Sequence, residues 1–149
     1  MLHLRKSKWG FTLIELMVVV AIIGVLALLG LRLYTGQQQK AKNAVVKANV
    51  GTIQTLIQAE LADTTSDDVD IMVGVPGGTD SILIKASGIH IPDGGPQTAN
   101  GTETDITGIE IGMVYVVYNP TPGDVHFKIN GHGFPDSEPV YTESLTARK

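Results

Sequence analysis

The residue with the clearest chemical potential in this sequence is Glu15, a carboxylate near the start of a long apolar run. Residues 11–31 hold 15 large apolar side chains in 21 positions, and the other six positions are Thr12, Glu15, Ala21, Gly24, Ala27 and Gly30. A carboxylate held among apolar groups without a partner costs on the order of a few kcal/mol. We therefore predict that Glu15 needs a partner.

Other side chains with ligand or nucleophile chemistry are scattered. His90, His126 and His132 fall in different strands or loops, whereas a zinc site needs three or four converging ligands. The sequence has no cysteine, which removes thiolate nucleophiles and ligands. No nucleophile, base and oxyanion-hole set can be assembled. We predict a protein that is not an enzyme and that needs no metal or cofactor.

One acidic loop keeps a second interpretation open. Asp93, Glu103 and Asp105 supply oxygen ligands of the kind that calcium prefers, but their spacing does not match an EF-hand. A solvated acidic loop is the favoured interpretation, and calcium binding is the alternative. In the same loop Asn100 begins the triplet Asn-Gly-Thr, a possible glycosylation sequon. The Gly-rich "GVPGG" lacks the Lys and Ser/Thr of a phosphate loop and predicts a turn.

The apolar run is long enough to cross a bilayer, since 18 or more such residues are typical of a spanning helix. Arg5, Lys6 and Lys8 precede it without any acid, and the remainder has eight Lys and Arg against 15 Asp and Glu. The positive-inside rule then places the N-terminus in the cytoplasm and the bulk of the chain outside. An acidic body also argues against binding to nucleic acid through phosphates.

A cleavable secretory signal peptide is the competing interpretation of the same features. Its apolar region is usually 7 to 15 residues long and ends at small residues. Here the run is longer, and no A-x-A site precedes the polar "TGQQQKAKNA". The small residue at a boundary, Gly10, lies before the run instead. We therefore favour a span that is retained.

The stretch from Gly10 to Leu16, Gly-Phe-Thr-Leu-Ile-Glu-Leu, closely resembles the N-terminal signal of type IV pilins and of type II secretion pseudopilins. This resemblance covers about the first 50 residues. It implies that a prepilin peptidase cuts after Gly10 and methylates the new amine of Phe11. The resemblance also implies that Glu15 pairs with that amine on a neighbouring subunit during assembly, although Phe11 of the same chain is one helical turn away.

Past the run, the helical pattern continues with a new polarity. Val46, Val50, Ile53, Ile57 and Leu61 recur at helical spacing, opposite polar residues that include Lys40, Lys42, Lys47, Asn49, Gln54 and Gln58. A helix from Phe11 to about Leu61 would be roughly 75 Å long. Gly24, Gly30, Gly36 and Gly51 lie within it, and either local melting or close helix packing explains them. We expect any melting between Gly24 and Gly30.

From residue 63 the helical period gives way to short β-rich runs. The predicted strands are residues 70–75, 81–86, 108–119 and 124–131, and "VPGGTDS" and "NPTPGD" have the composition of hairpin connections. Tyr115 and Tyr118 are predicted strand residues, at least one of them packed. The loop of residues 91–108 is predicted to lie at the surface. The fold class is therefore α+β, a long N-terminal helix packed on a small antiparallel sheet.

Together these patterns divide the chain into four segments. They are a leader of residues 1–10, an apolar helix of 11–31, its amphipathic continuation of 32–62 and a β-rich head of 63–149. The resemblance implies a prepilin that is inserted in the bacterial inner membrane and then assembled as a homo-oligomer into an extracellular filament. Its implied partners are the prepilin peptidase, the assembly machinery and membrane lipid. A pseudopilin or a single-span anchored binding domain remains the alternative.

Overall fold

The computed structural model describes residues 10–75, 77–78, 80–101, 111–134 and 139–146. Along these residues three helices are followed by three strands. The helices are α1 (Leu13–Asp63), α2 (Ser66–Val73) and α3 (Ile82–Ser87), and the strands are β1 (Val114–Asn119), β2 (His126–His132) and β3 (Pro139–Thr146). The chain divides into two compact units, Met1–Gln37 and Gln38–Lys149.

In the first unit the described residues form the start of α1, and every side chain from residue 10 to 37 is exposed. Within the described residues α1 is the one helix long and apolar enough to cross a membrane, with a mean hydropathy of 2.8 over its most apolar window. The four glycines do not interrupt it, since the helix runs through Gly24, Gly30, Gly36 and Gly51. The melting of residues 24–30 on assembly stays a prediction.

In the second unit α1 buries the face that the sequence pattern predicted. Val46, Val50, Ile53 and Ile57 are fully buried, and Leu61 is partly buried against the same core. The sheet supplies the other side of this core through five buried side chains, Val114, Val116, Phe127, Ile129 and Leu145. The predicted α+β fold is therefore confirmed, because one helical stripe and one sheet face cover each other's apolar surface.

The three strands form one antiparallel sheet in the order β1-β2-β3. Val116 lies opposite Ile129 in the first pair, and Ile129 lies opposite Glu143 in the second. The "NPTPGD" segment joins β1 to β2, which confirms the predicted hairpin connection. The predicted strand of residues 124–131 corresponds to β2, and the C-terminal part of 108–119 corresponds to β1. Residues 108–110 lie outside the described part, and β3 was not predicted.

The predicted strands of residues 70–75 and 81–86 are wrong, because these segments form α2 and α3. Each helix begins at a capping hydroxyl: Thr65 Oγ1 accepts from the Asp68 amide at 3.3 Å, and Ser81 Oγ accepts from the Ile84 amide at 3.2 Å. Gly74 and Gly88 follow the last turns with positive φ. These caps outweigh the weak strand preference of the apolar residues between them. "VPGGTDS" accordingly connects two helices and is not a hairpin.

The loop after α3 is exposed from Asp93 to Pro96, as predicted, but two of its side chains are not at the surface. Gln97 and Asn100 are buried, and their side-chain amides pair with the backbone of β1. The Val114 amide donates to Gln97 Oε1 at 3.0 Å, and the Val116 amide donates to Asn100 Oδ1 at 2.8 Å. Each side-chain amide also donates back to the carbonyl of the same strand residue. The loop therefore supplies the hydrogen bonds that a neighbouring strand would form with the outer edge of β1.

The two tyrosines of β1 are packed, as predicted. Tyr115 is buried with its ring centroid 4.8 Å from that of His132. Tyr118 is half-buried and stacks on Phe127, with the ring centroids 4.8 Å apart. Its hydroxyl donates to Asp67 Oδ1 at 2.7 Å. This contact links the sheet to the first turn of α2.

Gly131 is the point of closest approach between β2 and α1, and we expect Gly131→Ala to destabilise the head. A Cβ there would lie 2.6 Å from Val46 Cγ1 and 2.8 Å from Val50 Cγ2, and both valines are fully buried. Overpacking of this kind costs about 1 to 3 kcal/mol. The measurement is thermal unfolding of the detergent-solubilised chain, followed by near-ultraviolet circular dichroism.

Gly51→Ala is the matched control for that substitution. No heavy atom lies within 4 Å of a Cβ at Gly51 in the middle of α1. Alanine there gains about 1 kcal/mol of helix propensity. The two variants should therefore shift the unfolding midpoint in opposite directions, and equal shifts would contradict the packing described for Gly131.

Ionisation of the Asp70 carboxyl disfavours the folded state. Partial burial raises the pKa of its carboxyl above the ordinary 3.8, and the nearby charge of Asp67 adds to the effect. The folded state therefore holds the proton more tightly, and the stabilisation present at acidic pH is lost as the pH rises through the folded pKa.

We expect Asp70→Asn to raise the unfolding midpoint at pH 7 by about 1 to 2 °C, since solvent screens a partly exposed group. The gain over the unsubstituted chain should shrink as the pH falls through the folded pKa, which lies above 3.8, and should be largely absent below 3.8. A gain that is constant between pH 3 and pH 7 would contradict this assignment.

Candidate functional site

The start of α1 places Glu15 against Thr12 in a reciprocal pair of contacts. The Thr12 amide donates to Glu15 Oε2 at 2.9 Å, and the Thr12 hydroxyl donates to the same oxygen at 2.7 Å. In return the Glu15 amide donates to Thr12 Oγ1 at 3.3 Å. This is a capping box, in which two backbone amides that the helix cannot satisfy find side-chain acceptors.

Sequence reasoning considered only the Phe11 amine, of the same or a neighbouring chain, as the partner of Glu15 and missed Thr12. The signal was present, because Thr12-Leu13-Ile14-Glu15 has the T-x-x-E spacing of a capping box before an apolar run. Thr12 satisfies part of the carboxylate's hydrogen-bonding capacity. It supplies no positive charge, so the expectation of a cationic partner remains.

The second oxygen of the Glu15 carboxylate, Oε1, takes no part in the capping box. Within the described residues both side-chain and backbone donors of Thr12 reach Oε2, and no hydrogen bond reaches Oε1. The carboxylate lies in a shallow groove on the helix that is otherwise apolar, lined also by Phe11, Ile14, Val18 and Val19. Glu15 can thus keep its capping contacts while Oε1 accepts from a further donor at this groove.

Gly10 and Phe11 precede the helix, which begins at Leu13. Gly10 is exposed, with no heavy atom within 4 Å of a Cβ built on it, and the Phe11 side chain is 84% exposed. The bond between them is therefore outside the hydrogen-bonded helix and uncovered by the described residues. A peptidase needs such an unwound, accessible backbone.

The alternative metal ligands are not brought together among the described residues, where no group of three or more ligand side chains is found. His90 Nδ1 lies 3.0 Å from the carbonyl oxygen of Gly88, and His126 Nδ1 lies 3.3 Å from Asp124 Oδ1. Asp93 of the candidate calcium loop forms a salt bridge with Lys42 at 2.6 Å. Glu103 and Asp105 lie outside the described residues.

The Asn100 side chain of the possible sequon is 2% exposed. Its amide nitrogen donates to the carbonyls of Gly74 and Val116, each at 2.9 Å. A glycan on this nitrogen would have to break both contacts and fill buried space. In the folded head, Asn100 is a structural residue that joins the loop to β1 and to the end of α2.

Three polar residues of α1 fasten loops of the head to the helix. Asn43 exchanges two hydrogen bonds with the backbone of Phe134, at 3.1 and 2.8 Å. Asn49 donates to the carbonyl of His90 at 2.8 Å, and Lys42 lies over the Phe134 ring at 4.9 Å. The prediction that Lys42 and Asn49 lie on the face opposite the apolar residues is therefore wrong, because both lie where these loops meet the helix.

A known family signature covers the N-terminal segment that holds Gly10, Phe11 and Glu15. Residues 5–31 match the family model described as the prokaryotic N-terminal methylation motif. Fimbrial protein Q of Moraxella bovis is 33% identical over an alignment of 108 residues. The alignment covers 65% of this chain and 67% of that protein. The chain belongs to the type IV pilin family.

Two further relatives place this pilin among fimbrial proteins. Type IV major fimbrial protein FimA of Dichelobacter nodosus is 35% identical over 105 residues, covering 70% of the pilin and 59% of that protein. Fimbrial protein EcpB of Eikenella corrodens is 45% identical over 65 residues, covering 44% and 40%. The pilin thus matches about half the length of these first relatives. No solved structure matches it.

Proposed function

We propose that this pilin is a structural subunit of a type IV pilus, made as a single-span precursor and assembled into a helical filament. The observation that carries the proposal is the uncovered apolar surface of α1. From Leu13 to Tyr34 its large apolar side chains are 45% to 75% exposed, and no element of the described structure covers them.

The apolar side chains of this surface need apolar surroundings in place of water. Each large aliphatic side chain gains roughly 2 kcal/mol on leaving water, so the segment as a whole represents tens of kcal/mol. Lipid supplies the cover for the precursor, and the helices of neighbouring subunits supply it in a filament. Because both surroundings are apolar, the exchange of one for the other has little hydrophobic cost. Assembly from the membrane is therefore feasible.

The N-terminal residues have assigned roles in this proposal. A prepilin peptidase cuts after Gly10, and the amine of Phe11 is then methylated. The new amine is a cation at the level of Glu15, and the free oxygen Oε1 accepts from it on a neighbouring subunit. The pairing neutralises both charges inside an apolar filament core and sets the register of the incoming subunit.

The proposed organisation follows from the same roles. Residues 1–10 are the leader, residues 11–31 cross the inner membrane and then form the filament core, and residues 32–62 continue the helix to the head. The N-terminus is cytoplasmic before assembly, and the head of residues 63–149 is outside. The pilin has no catalytic activity of its own. Its partners are further copies of itself, the prepilin peptidase, the assembly machinery and lipid.

The test is intact-mass analysis and N-terminal sequencing of the chain in filaments sheared from cells that express it. The expected species begins at a methylated Phe11 and dominates the sheared fraction. Cleaved chain confined to the membrane fraction would refute the major-subunit role. Uncleaved chain beginning at Met1 would refute the processing and assembly scheme as a whole.

A further inference from the structure

The head carries an exposed apolar patch where α2 leads into α3. Ile71, Val75 and Ile82 are 74%, 76% and 70% exposed. Among the other described residues from 38 to 149, the exposed large hydrophobic side chains are Val45 at 43% and Tyr141 at 37%. Single exposed aliphatic side chains are ordinary, but a group of them indicates an interaction surface.

The three residues belong to backbone segments that lie close together. Ser81 Oγ donates to the carbonyl of Met72 at 3.0 Å, and a Cβ at Gly74 would lie 3.7 Å from Ser81 Cβ. Ile71, Val75 and Ile82 are adjacent in sequence to Met72, Gly74 and Ser81, respectively. We call Ile71, Val75 and Ile82 the apolar patch.

Acidic residues border the apolar patch. Asp67 and Asp70 lie on α2, and Asp80 precedes α3; the stretch from residue 63 to 80 has five Asp and no Lys or Arg. Asp80 is 3.5 Å from Lys85 on α3, but both side chains remain mostly exposed. A negatively charged border disfavours docking on anionic lipid and favours a partner surface with positive charge.

The same chain carries such a surface on α1. From residue 16 to 59 there is no acid, and Lys40 and Lys47 are exposed. They are seven residues apart, so they lie on one side of the helix, two turns from each other. Three small exposed side chains lie beside them, Ala41, Ala44 and Ala48, and Val45 nearby is 43% exposed. We call Lys40, Lys47 and these alanines the basic helix face.

We propose that the apolar patch of one copy packs against the basic helix face of the next copy in the filament. This inference rests on the proposed function, since the partner is a second copy of the chain. The three large side chains cover the alanines, and Asp67, Asp70 and Asp80 lie opposite Lys40 and Lys47. The two surfaces differ, so the contact is heterologous and repeats from copy to copy, as an open helical assembly requires.

The absence of cysteine from the sequence allows a direct test by disulfide cross-linking. The full chain with Val75→Cys and Ala44→Cys is expressed where the unsubstituted chain forms filaments, and sheared filaments are oxidised. A disulfide forms only if the two Cα atoms approach within about 7 Å. We expect a ladder of covalent multimers that reduction converts to monomer, and only monomer from either single variant.

The matched control replaces one partner by a cysteine on a different exposed surface. Ser144 is exposed on β3 and belongs to neither surface. The pair Ala44→Cys and Ser144→Cys should give no ladder. A patch pair that cross-links no more than this control, in filaments that do form, would overturn the proposed contact and leave the pilus function standing. Failure of the unsubstituted chain to form filaments would overturn both.

A charge exchange tests the electrostatic part. We expect Asp70→Lys to lower the yield of sheared filaments about tenfold at an unchanged level of processed chain in the membrane. Adding Lys47→Asp should restore most of the yield, because opposite charges again face each other. An undiminished yield from Asp70→Lys, or no recovery in the double variant, would contradict the pairing of these surfaces.

Discussion

Replacing Glu15 by Ala should leave cleavage after Gly10 largely intact and lower the yield of sheared filaments by at least about tenfold. Cleavage needs the accessible bond before Phe11, which does not involve the carboxylate. In the proposed assembly the filament loses the anion that would pair with the Phe11 amine, so a cation would remain unpaired in an apolar core at a cost of several kcal/mol, on the order of two powers of ten or more in affinity. Filament yield and N-terminal sequencing of the membrane-bound chain give the two readouts.

Glu15→Gln separates the capping role that the structure shows from the charge pairing that we propose. A Gln side chain can still accept the hydrogen bonds from Thr12 and keep the capping box. It cannot neutralise an amine. If pairing with Phe11 is the essential role, Gln should be as defective as Ala. Filament yield at the unsubstituted level from Gln would refute the charge pairing, and from Ala would refute any assembly role.

Asn100→Asp should produce the largest loss of head stability among these substitutions, about 3 kcal/mol or more at pH 7. The amide nitrogen of Asn100 donates to two buried carbonyl oxygens, of Gly74 and of Val116. A carboxylate of the same shape has no donor and places negative charge against both oxygens. Thermal unfolding of the full chain in detergent, followed by tyrosine near-ultraviolet circular dichroism, should show a midpoint lower by about 10 °C or more.

Asn119→Asp is the matched control for that substitution. The Asn119 side chain only accepts, from the amide and hydroxyl of Thr121 at 3.1 and 2.6 Å, and a carboxylate can do the same. We therefore expect little change in its midpoint. The deficit of Asn100→Asp should narrow as the pH falls, because the protonated carboxyl regains one donor and loses its charge. A pH-independent deficit would contradict this explanation.

These substitutions also show why the head is harder to predict than the helix. The pairing of Gln97 and Asn100 with β1 joins residues 16 to 17 positions apart along the chain. Asn100 stands out in the sequence only as a possible sequon and Gln97 does not stand out at all, and the polar, Gly-rich loop around them has the composition of a surface connection. Only the position of the β1 edge reveals that two side chains complete its hydrogen bonds.

The sequence alone determined the N-terminal half of this protein. Residues 11–31 are apolar in almost every position, and the face from Val46 to Ile57 repeats at helical spacing. Both signals are local and long, so no distant contact is needed to define α1. The Gly10 to Leu16 motif likewise identifies the family within seven residues. Even the capping role of Thr12 was present as a T-x-x-E spacing.

Tertiary structure decided the conformation of the head. Helices α2 and α3 show the physical reason. Their apolar residues suit a strand as well as a helix, and the choice depends on caps at Thr65 and Ser81 and on packing against α1 and the sheet. Gly131 has no visible role until Val46 and Val50 lie against it. Short elements gain too little from local propensity to specify themselves, so contacts distant in sequence select their conformation.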